Sequence, residues 1–451
     1  MINPLIFRQY DIRGIAETDL TSEVVSLIGR VLGTWVRERE GKRIAVGRDG
    51  RVSGARLRDA LIKGVRQAGV DVLDVGMLPT PVLYFSQHNL DVHGAVQITG
   101  SHNPPEFNGF KLLIQKETLY GDTIQEIYRR IQAKRFQTGE GKVRSEKVIP
   151  AYISHVVNDV KLKRPLRVAL DSGNGVGGLV GPSIFRKLGC EVIELYSEVD
   201  GTFPNHHPDP TVEKNLVVLR ETVLREKLDF GVAYDGDADR IGVIDDKGQI
   251  LWGDRLLALF ARNVLKVYPG SAIVGEVKCS KALYEDVARH GGQPIMWKTG
   301  HSLIKAKLRE SGAKLAGEMS GHIFFNDRYY GFDDALYASA RLAEIIASDN
   351  LPLSQLLDDL PLYPVTPEMR VDCPDEIKFQ IVEKVADYFR AEYDVVDIDG
   401  VRVNFEHGWG LVRASNTQPV LVLRFEADTQ ERVDEYRKNV EAIVARIRRE
   451  L

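Results

Sequence analysis

Gly94-Ala95-Val96-Gln97-Ile98-Thr99-Gly100-Ser101-His102-Asn103-Pro104 reads as a short apolar strand running into a tight turn. The turn presents one hydroxyl, that of Ser101. Gly100 lets the backbone bend or approach a ligand closely. Asn103-Pro104 ends the turn, because the residue before a proline is pushed out of the helical region. A serine held this way can be a nucleophile or a phosphoryl carrier. It can equally be a turn serine that bonds its own backbone.

On either side, short apolar strands alternate with amphipathic helices, the pattern of α/β layers. Thr21 and Ser22 can cap a helix in which Val24, Leu27, Ile28, Val31, Leu32 and Trp35 recur at three- and four-residue spacing. Residues 44–46 and 70–75 read as strands, with a helix marked by Leu57, Ala60, Leu61 and Val65 between them. The pattern restarts at residues 167–170, after a basic stretch at 161–165, and again at 272–275, after a helix starting near Asp254. Beyond Leu360 the pattern changes. Pro361, Pro364 and Pro367 space out a linker that reads as a hinge, followed by a helix near 376–392. Strands at 395–398, 401–405, 410–413 and 420–425 then come in quick succession, and a charged helix over 429–449 closes the pattern. Strands without intervening helices predict an antiparallel α+β domain.

The chain has 451 residues, too many for one ordinary core, with 43% hydrophobic and 27% charged residues. A net charge of −4 argues against a nucleic-acid surface but leaves room for an anionic substrate in a basic cleft. Cys190, Cys279 and Cys373 are far apart, show neither a zinc spacing nor a disulfide framework, and fit a reducing cytoplasm. Met1-Ile2-Asn3-Pro4 lacks the pattern of a signal peptide, and no apolar run is long enough to span a bilayer.

A second cluster carries the chemistry further. A strand at 230–233 is followed by Asp235-Gly236-Asp237-Ala238-Asp239-Arg240. Three carboxylates at alternate positions can converge on one hard cation such as Mg2+. An EF-hand needs glycine at the sixth position and glutamate at the twelfth, where this chain has Arg240 and Asp246. The plain alternative is a solvated acidic turn.

Together these stretches resemble the α-D-phosphohexomutase family, in its phosphomannomutase/phosphoglucomutase branch. The resemblance runs in order along nearly the whole chain. It takes in Phe7-Arg8-Gln9-Tyr10-Asp11-Ile12-Arg13-Gly14, the serine loop, and Phe107-Asn108-Gly109-Phe110-Lys111. The aspartate loop follows, then Lys298-Thr299-Gly300-His301-Ser302, Gly317-Glu318-Met319-Ser320-Gly321-His322 and Arg413-Ala414-Ser415-Asn416-Thr417. The resemblance implies three consecutive α/β domains with mixed sheets and a C-terminal α+β domain around a central cleft. Their expected bounds are 1–147, 148–250, 251–362 and 363–451.

The implied activity interconverts hexose 6-phosphate and hexose 1-phosphate, of mannose, glucose or both, through a 1,6-bisphosphate intermediate. Ser101 would be the phosphoserine, and Asp235, Asp237 and Asp239, with a phosphate oxygen on Ser101, would hold Mg2+. Three carboxylates and a phosphate outweigh one Mg2+, so further cations are needed, and Arg13, Lys111 and Arg240 are the candidates. Arg13 and Lys111 read alone as ordinary surface charges. The general base stays open among Lys111, His102 and His301.

The resemblance also assigns Tyr10, Lys278, Gly300, His301, Glu318, Ser320 and His322 to the sugar. Glu318 and Ser320, two apart, project to one side of an extended loop and would grip the 3- and 4-hydroxyls. Met319 between them resembles this branch, whereas glutamine would resemble phosphoglucosamine mutase, the alternative reading. Arg413, Ser415, Asn416 and Thr417 would hold the phosphate that does not react. Outside the resemblance these loops read as capped or polar turns. Gly173-Asn174-Gly175-Val176-Gly177-Gly178, with Glu194 ending the next strand, carries a dinucleotide fingerprint and supports a rival oxidoreductase reading. The expected partners are small hexose phosphates, with no nucleic acid and no membrane.

Overall fold

A computed structural model describes residues 2–415 and 419–451, so Asn416 and Thr417 lie outside the described residues. The chain falls into two compact units, Met1–Leu256 with Ser320–Leu357, and Leu257–Met319 with Asp358–Leu451.

In the first unit, the opening strand Gly94–Ile98 lies inside a mixed sheet, parallel to Arg43–Arg48 and antiparallel to Phe107–Ile114. Arg43–Arg48 also runs parallel to Asp71–Met77, and Phe107–Ile114 pairs with Ile12–Ile15. Gly94–Ile98 is buried along its whole length, as expected of a strand covered on both faces. Helix Ser22–Glu38 begins where Thr21 accepts a hydrogen bond from Val24 N, and it buries Val24, Ile28, Val31, Leu32 and Trp35. Leu27 stays partly buried at the edge of that core. A second sheet places Phe230–Tyr234 parallel to Arg167–Asp171 and antiparallel to Ile241–Asp245. The aspartate loop is the connection of that last hairpin. Both loops therefore follow the carboxyl ends of strands in parallel pairings, where open α/β sheets gather ligands.

In the second unit, Ala272–Glu276 runs parallel to Gln293–Trp297 and Leu315–Gly317. An antiparallel sheet follows, ordered Met369–Asp372, Val420–Ala427, Gly408–Ala414, Val401–Phe405, Asp394–Val396. Helices Asp375–Arg390 and Gln430–Glu450 cover it, around Phe389, Val403, Phe425, Val440 and Ile447. Met369–Asp372 escaped the sequence reading because its half-exposed, charged residues are those of an edge strand. The second half of the proline-spaced linker is fastened to the sheet. Thr366 N donates to Phe425 O and Ala427 N to Pro364 O, so residues 364–366 lie along the edge of the sheet.

Candidate functional site

The first unit brings the serine and aspartate loops together. Ser101 Oγ lies 2.7 Å from Asp235 Oδ2 and 3.0 Å from His102 Nδ1. One hydroxyl proton cannot serve both neighbours. If it goes to Asp235, His102 donates its Nδ1 proton to Oγ; if it goes to His102, Asp235 carries a proton of its own. Ser101 is buried with φ +50°, and Ala238 in the facing loop has φ +59°. Left-handed backbone at non-glycine residues is costly and collects at functional sites. Gly236 meets the serine loop so closely that a Cβ there would stand 2.4 Å from Ser101 O.

Asp235, Asp237 and Asp239 are fully buried. Burial, then Asp237 and Asp239, hold the Asp235 carboxyl well above the usual carboxylate range. Burial also pushes Asp237 up, but the Lys111 ammonium together with the hydrogen bonds from Lys111 and Thr80 outweighs it and holds Asp237 below that range. Lys111 Nζ donates to Asp237 Oδ2 at 2.7 Å and also to Asp239 Oδ2. Burial pulls the Lys111 ammonium down, and the surrounding carboxylates, Asp237 and Asp239 first, overturn this and raise it. Thr80 Oγ1 adds a hydrogen bond of 2.5 Å to Asp237 Oδ2.

Among the described residues, Asp237 Oδ1 and Asp239 Oδ1 are buried and accept no hydrogen bond. Ligand atoms of the three aspartates lie within 4.8 Å of one another. An all-oxygen donor set with bare buried carboxylate oxygens fits Mg2+.

Arg240 Nε donates to His322 Nε2 at 2.9 Å. Arginine has no acceptor, so this bond puts the imidazole proton on Nδ1, which faces Asp333 Oδ2 at 3.2 Å and Asp239 Oδ1 at 3.6 Å. His322, Asp239 and Asp333 could by distance hold a second cation. A protonated Nδ1 is no ligand, so the cluster links His322 to the aspartate loop instead. Arg13 bonds Asn103 Oδ1 at 2.6 Å and pairs with Asp11 at 2.5 Å, so it too is tied to the serine loop. Tyr10 is half-buried in the turn just before strand Ile12–Ile15. Burial, then Arg240 and Arg13, lower His102 well below an ordinary histidine.

The dinucleotide fingerprint has another use. A Cβ at Gly175 would stand 2.8 Å from Gly236 O, so the glycine-rich turn supports the aspartate loop. Glu194, the expected ribose ligand, pairs with Arg186.

The second unit holds the remaining candidates. Glu276, at the end of its strand, is buried and accepts from Lys278 N at 2.7 Å, Thr299 Oγ1 at 2.9 Å and Met319 N at 3.2 Å. One carboxylate thus ties three loops. Glu318 Oε1 accepts from Gly300 N at 2.7 Å. Lys305 Nζ lies 3.3 Å from His301 Nδ1. Asp399 accepts from Thr299 N at 2.9 Å and pairs with Arg413 Nε at 2.7 Å, which joins the loop at Thr299 to the end of strand Gly408–Ala414. Ser415 N donates to Val420 O, and Ser415 O accepts from Lys378 Nζ at 2.5 Å.

Lys278 Nζ pairs with Glu368 at 3.1 Å. That ammonium, partly offset by burial, draws Glu368 down to about 2. Ser320 is half-buried in the first unit, and the division between the units falls between it and Met319. Glu276, Asp399, Glu368 and Thr80 escaped the sequence reading. For Glu276 alone there was a signal, an acidic residue closing a buried parallel strand.

Comparison with known proteins agrees with this picture. Four profiles of the phosphoglucomutase/phosphomannomutase family match in order. They are α/β/α domain I over residues 4–138, α/β/α domain II over 150–248, α/β/α domain III over 252–363 and the C-terminal domain over 368–443. The phosphomannomutase/phosphoglucomutase of Pseudomonas aeruginosa is 47% identical over 430 residues, covering 95% of this chain and 93% of that one. The phosphoglucomutase of Neisseria gonorrhoeae is 45% identical over 444 residues, covering 97% and 96%. A crystal structure of a phosphoglucomutase/phosphomannomutase family protein from Burkholderia thailandensis superposes with a TM-score of 0.92 at 46% identity, covering 98% of each chain. With four consecutive profiles along its length and relatives this similar over almost all of it, the chain belongs to the phosphoglucomutase/phosphomannomutase family.

Proposed function

We propose that this chain is a phosphohexomutase that interconverts the 6- and 1-phosphates of mannose and glucose, with Ser101 as phosphoryl carrier. The observation that carries this reading is Ser101 Oγ, 2.7 Å from Asp235 in a loop whose other two aspartates each keep a bare, buried oxygen. In the first half-reaction the sugar hydroxyl oxygen bonds to phosphorus as the bond from phosphorus to Ser101 Oγ breaks. The hydroxyl proton passes to a base, a proton returns to Ser101 Oγ as it leaves, and the product is a hexose 1,6-bisphosphate. His102 and His301 are the candidates for the base, because Lys111 is held as an ammonium by Asp237 and Asp239. After the bisphosphate turns over, its other phosphate returns to Ser101 by the reverse step.

Asp235, Asp237 and Asp239 would hold Mg2+, with an oxygen of phospho-Ser101 in its shell. When bound, the ion stabilises charge on the phosphoryl oxygens as a Lewis acid. Arg13, Lys111 and Arg240 add positive charge around the same group. Glu318, Ser320 and His322, with Tyr10, Lys278, Gly300 and His301, are assigned to the sugar. Arg413 and Ser415, with Asn416 and Thr417, are assigned to the idle phosphate. We take the chain as four domains, 1–147, 148–250, 251–362 and 363–451.

No helix among the described residues is long and apolar enough to cross a membrane. The three cysteines are buried and none is joined in a disulfide, in keeping with a cytoplasmic enzyme. The test of substrate is a side-by-side assay of mannose, glucose and glucosamine 1-phosphates. Turnover of the first two, with the third much slower, is expected, and a preference for the third would move the chain to the phosphoglucosamine branch.

Two substitutions test the second unit. Glu318→Ala should lower kcat/KM on glucose and mannose phosphates alike, because the hydroxyls assigned to it are common to both sugars. Loss of a hydrogen bond to a charged group predicts a fall of about 10- to 150-fold. A loss confined to one sugar would mean that Glu318 reads the carbon at which they differ.

Arg413→Ala should act mainly on KM, by a factor of similar size, roughly 10- to 150-fold. The phosphate assigned to Arg413 does not react in that half-reaction, so its contact persists from ground state to transition state. The variant also takes the ion-pair contact of Arg413 from Asp399, which keeps its bond from Thr299 N. Arg413→Lys, which restores a charge without the bond from Nε, should recover only part of the loss. Steady-state kinetics with an unchanged KM and kcat would mean that the phosphate is held elsewhere.

A further inference from the structure

Arg51 is 1% exposed, and its guanidinium lies inside the curve of the serine loop. Nη2 donates to Ser101 O at 2.9 Å and Asn103 O at 2.5 Å. Nη1 donates to Pro104 O at 2.5 Å and Phe107 O at 2.9 Å. Nε faces Asp49 Oδ2 at 3.3 Å. The five N–H groups of an arginine are thereby directed to four loop carbonyls and one carboxylate. Asp49 completes the frame, accepting from Arg51 N at 3.0 Å and from Gly100 N at 3.1 Å. Phe203 packs its ring 5.2 Å from the guanidinium carbon.

We propose that Arg51 is a positioning residue for Ser101, a role that rests on the phosphoserine reading above. Four carbonyl dipoles drawn onto one buried cation fix the path of the chain from Ser101 to Phe107, and Asp49 fixes Gly100 just before it. That path includes the left-handed backbone at Ser101, which a serine rarely adopts unaided. The hydroxyl is thereby aimed at Asp235. Asn103, held through its carbonyl by Arg51, takes Arg13 on its side chain, so the same frame also sets Arg13. With its four terminal N–H groups taken by loop carbonyls and Nε buried against Asp49, Arg51 has no donor that could reach a substrate. Its effect should therefore fall on the transfer step and not on binding.

The test is Arg51→Lys in the full-length protein with Mg2+. Lysine keeps the charge, but its three donors on one atom cannot serve four carbonyls and Asp49. Dephosphorylated protein is mixed with glucose 1,6-bisphosphate, and loading of Ser101 is followed by quenched intact-mass measurement. In the transfer, the bond from phosphorus to Ser101 Oγ forms as that to the sugar oxygen breaks, and the hydroxyl proton ends on the sugar. Loading rate and kcat should fall together by about 10- to 100-fold, as for a reacting group displaced by about an ångström. KM for hexose 1-phosphate should stay within roughly threefold of the wild type.

Asp49→Asn, which keeps the shape but removes the carboxylate charge, should show a smaller loss of the same kind. It serves as the test if the lysine variant does not fold. Loading at the wild-type rate in the folded variants would overturn the proposal while leaving phospho-Ser101 intact. So would a raised KM with unchanged kcat. A wild-type protein that never loads Ser101 would instead remove the phosphoserine reading, and the role of Arg51 with it.

Discussion

Ser101→Ala is expected to lose nearly all turnover, with kcat falling roughly 10⁴-fold or more, as when a covalent nucleophile is deleted. The neighbouring hydroxyls are otherwise engaged, Thr99 Oγ1 accepting from Ser101 N at 2.8 Å and Thr80 Oγ1 donating to Asp237 at 2.5 Å, while Ser101 Oγ is the one that meets Asp235, so neither is placed to take over the phosphoryl group. The fold should survive. Asp235 Oδ1 keeps its bonds from Asp239 N and Arg240 N, both 3.1 Å, and only Oδ2 loses a donor. A hydrogen bond to a charged group contributes about 1.5–3 kcal/mol, a modest shift in thermal midpoint for a chain of this size. Coupled-assay kinetics and intact mass check both halves, with phosphorylation expected in the wild type and absent in the variant. Near-wild-type turnover in the alanine variant would end the phosphoserine reading.

Removal of divalent metal should stop turnover almost as completely, and added Mg2+ should restore it. The aspartate loop is expected to keep its shape meanwhile, because Lys111 pairs with Asp237 and Asp239, Thr80 bonds Asp237, and backbone N–H groups hold Asp235. Asp237→Asn should raise the Mg2+ concentration needed for half activity by about tenfold or more, since a neutral amide is a poor substitute for a carboxylate on a hard cation. It should lower the thermal midpoint modestly, because the buried Lys111 ammonium loses one of its two charged partners, a cost partly offset by less crowding among the buried carboxyls. Activity that persists through exhaustive chelation would show that these aspartates serve another purpose.

Both of these centres were legible in the sequence because their chemistry is local. Ser101 follows an apolar strand by three residues, and the aspartates alternate within a single hairpin connection. The helix at Ser22–Glu38 was legible for a related reason, since its cap and apolar stripe are properties of neighbouring residues. What escaped is tertiary. Arg51 stands about fifty positions before the loop it frames, and nothing in Gly47-Arg48-Asp49-Gly50-Arg51 separates it from Arg48. Glu368 and Asp399 belong to no recognisable pattern, Asp399 being the last of three aspartates at 394, 397 and 399, and only folding brings them against Lys278 and Arg413. The glycine-rich turn at 173–178 shows the opposite error. Its spacing suits a pyrophosphate, while its packing serves the close approach of Gly175 to Gly236. The prolines at 361–367 read as a hinge because proline interrupts regular structure, and that local signal could not show that residues 364–366 lie against a sheet edge through the hydrogen bonds of Thr366 and Ala427.

The carboxylate of Glu276 bears on how this protein can change over generations. Lys278 N, Thr299 Oγ1 and Met319 N converge on it from three separate stretches of chain. A mutation that alters one of these loops strains a joint used by the other two, so the three cannot drift independently. Lineages that acquire a new sugar preference should do so by exchanging side chains around an unchanged glutamate, or by replacing all three stretches at once. A laboratory graft of one loop from a relative with another preference should therefore work only where the donor carries an acidic residue at the same strand end.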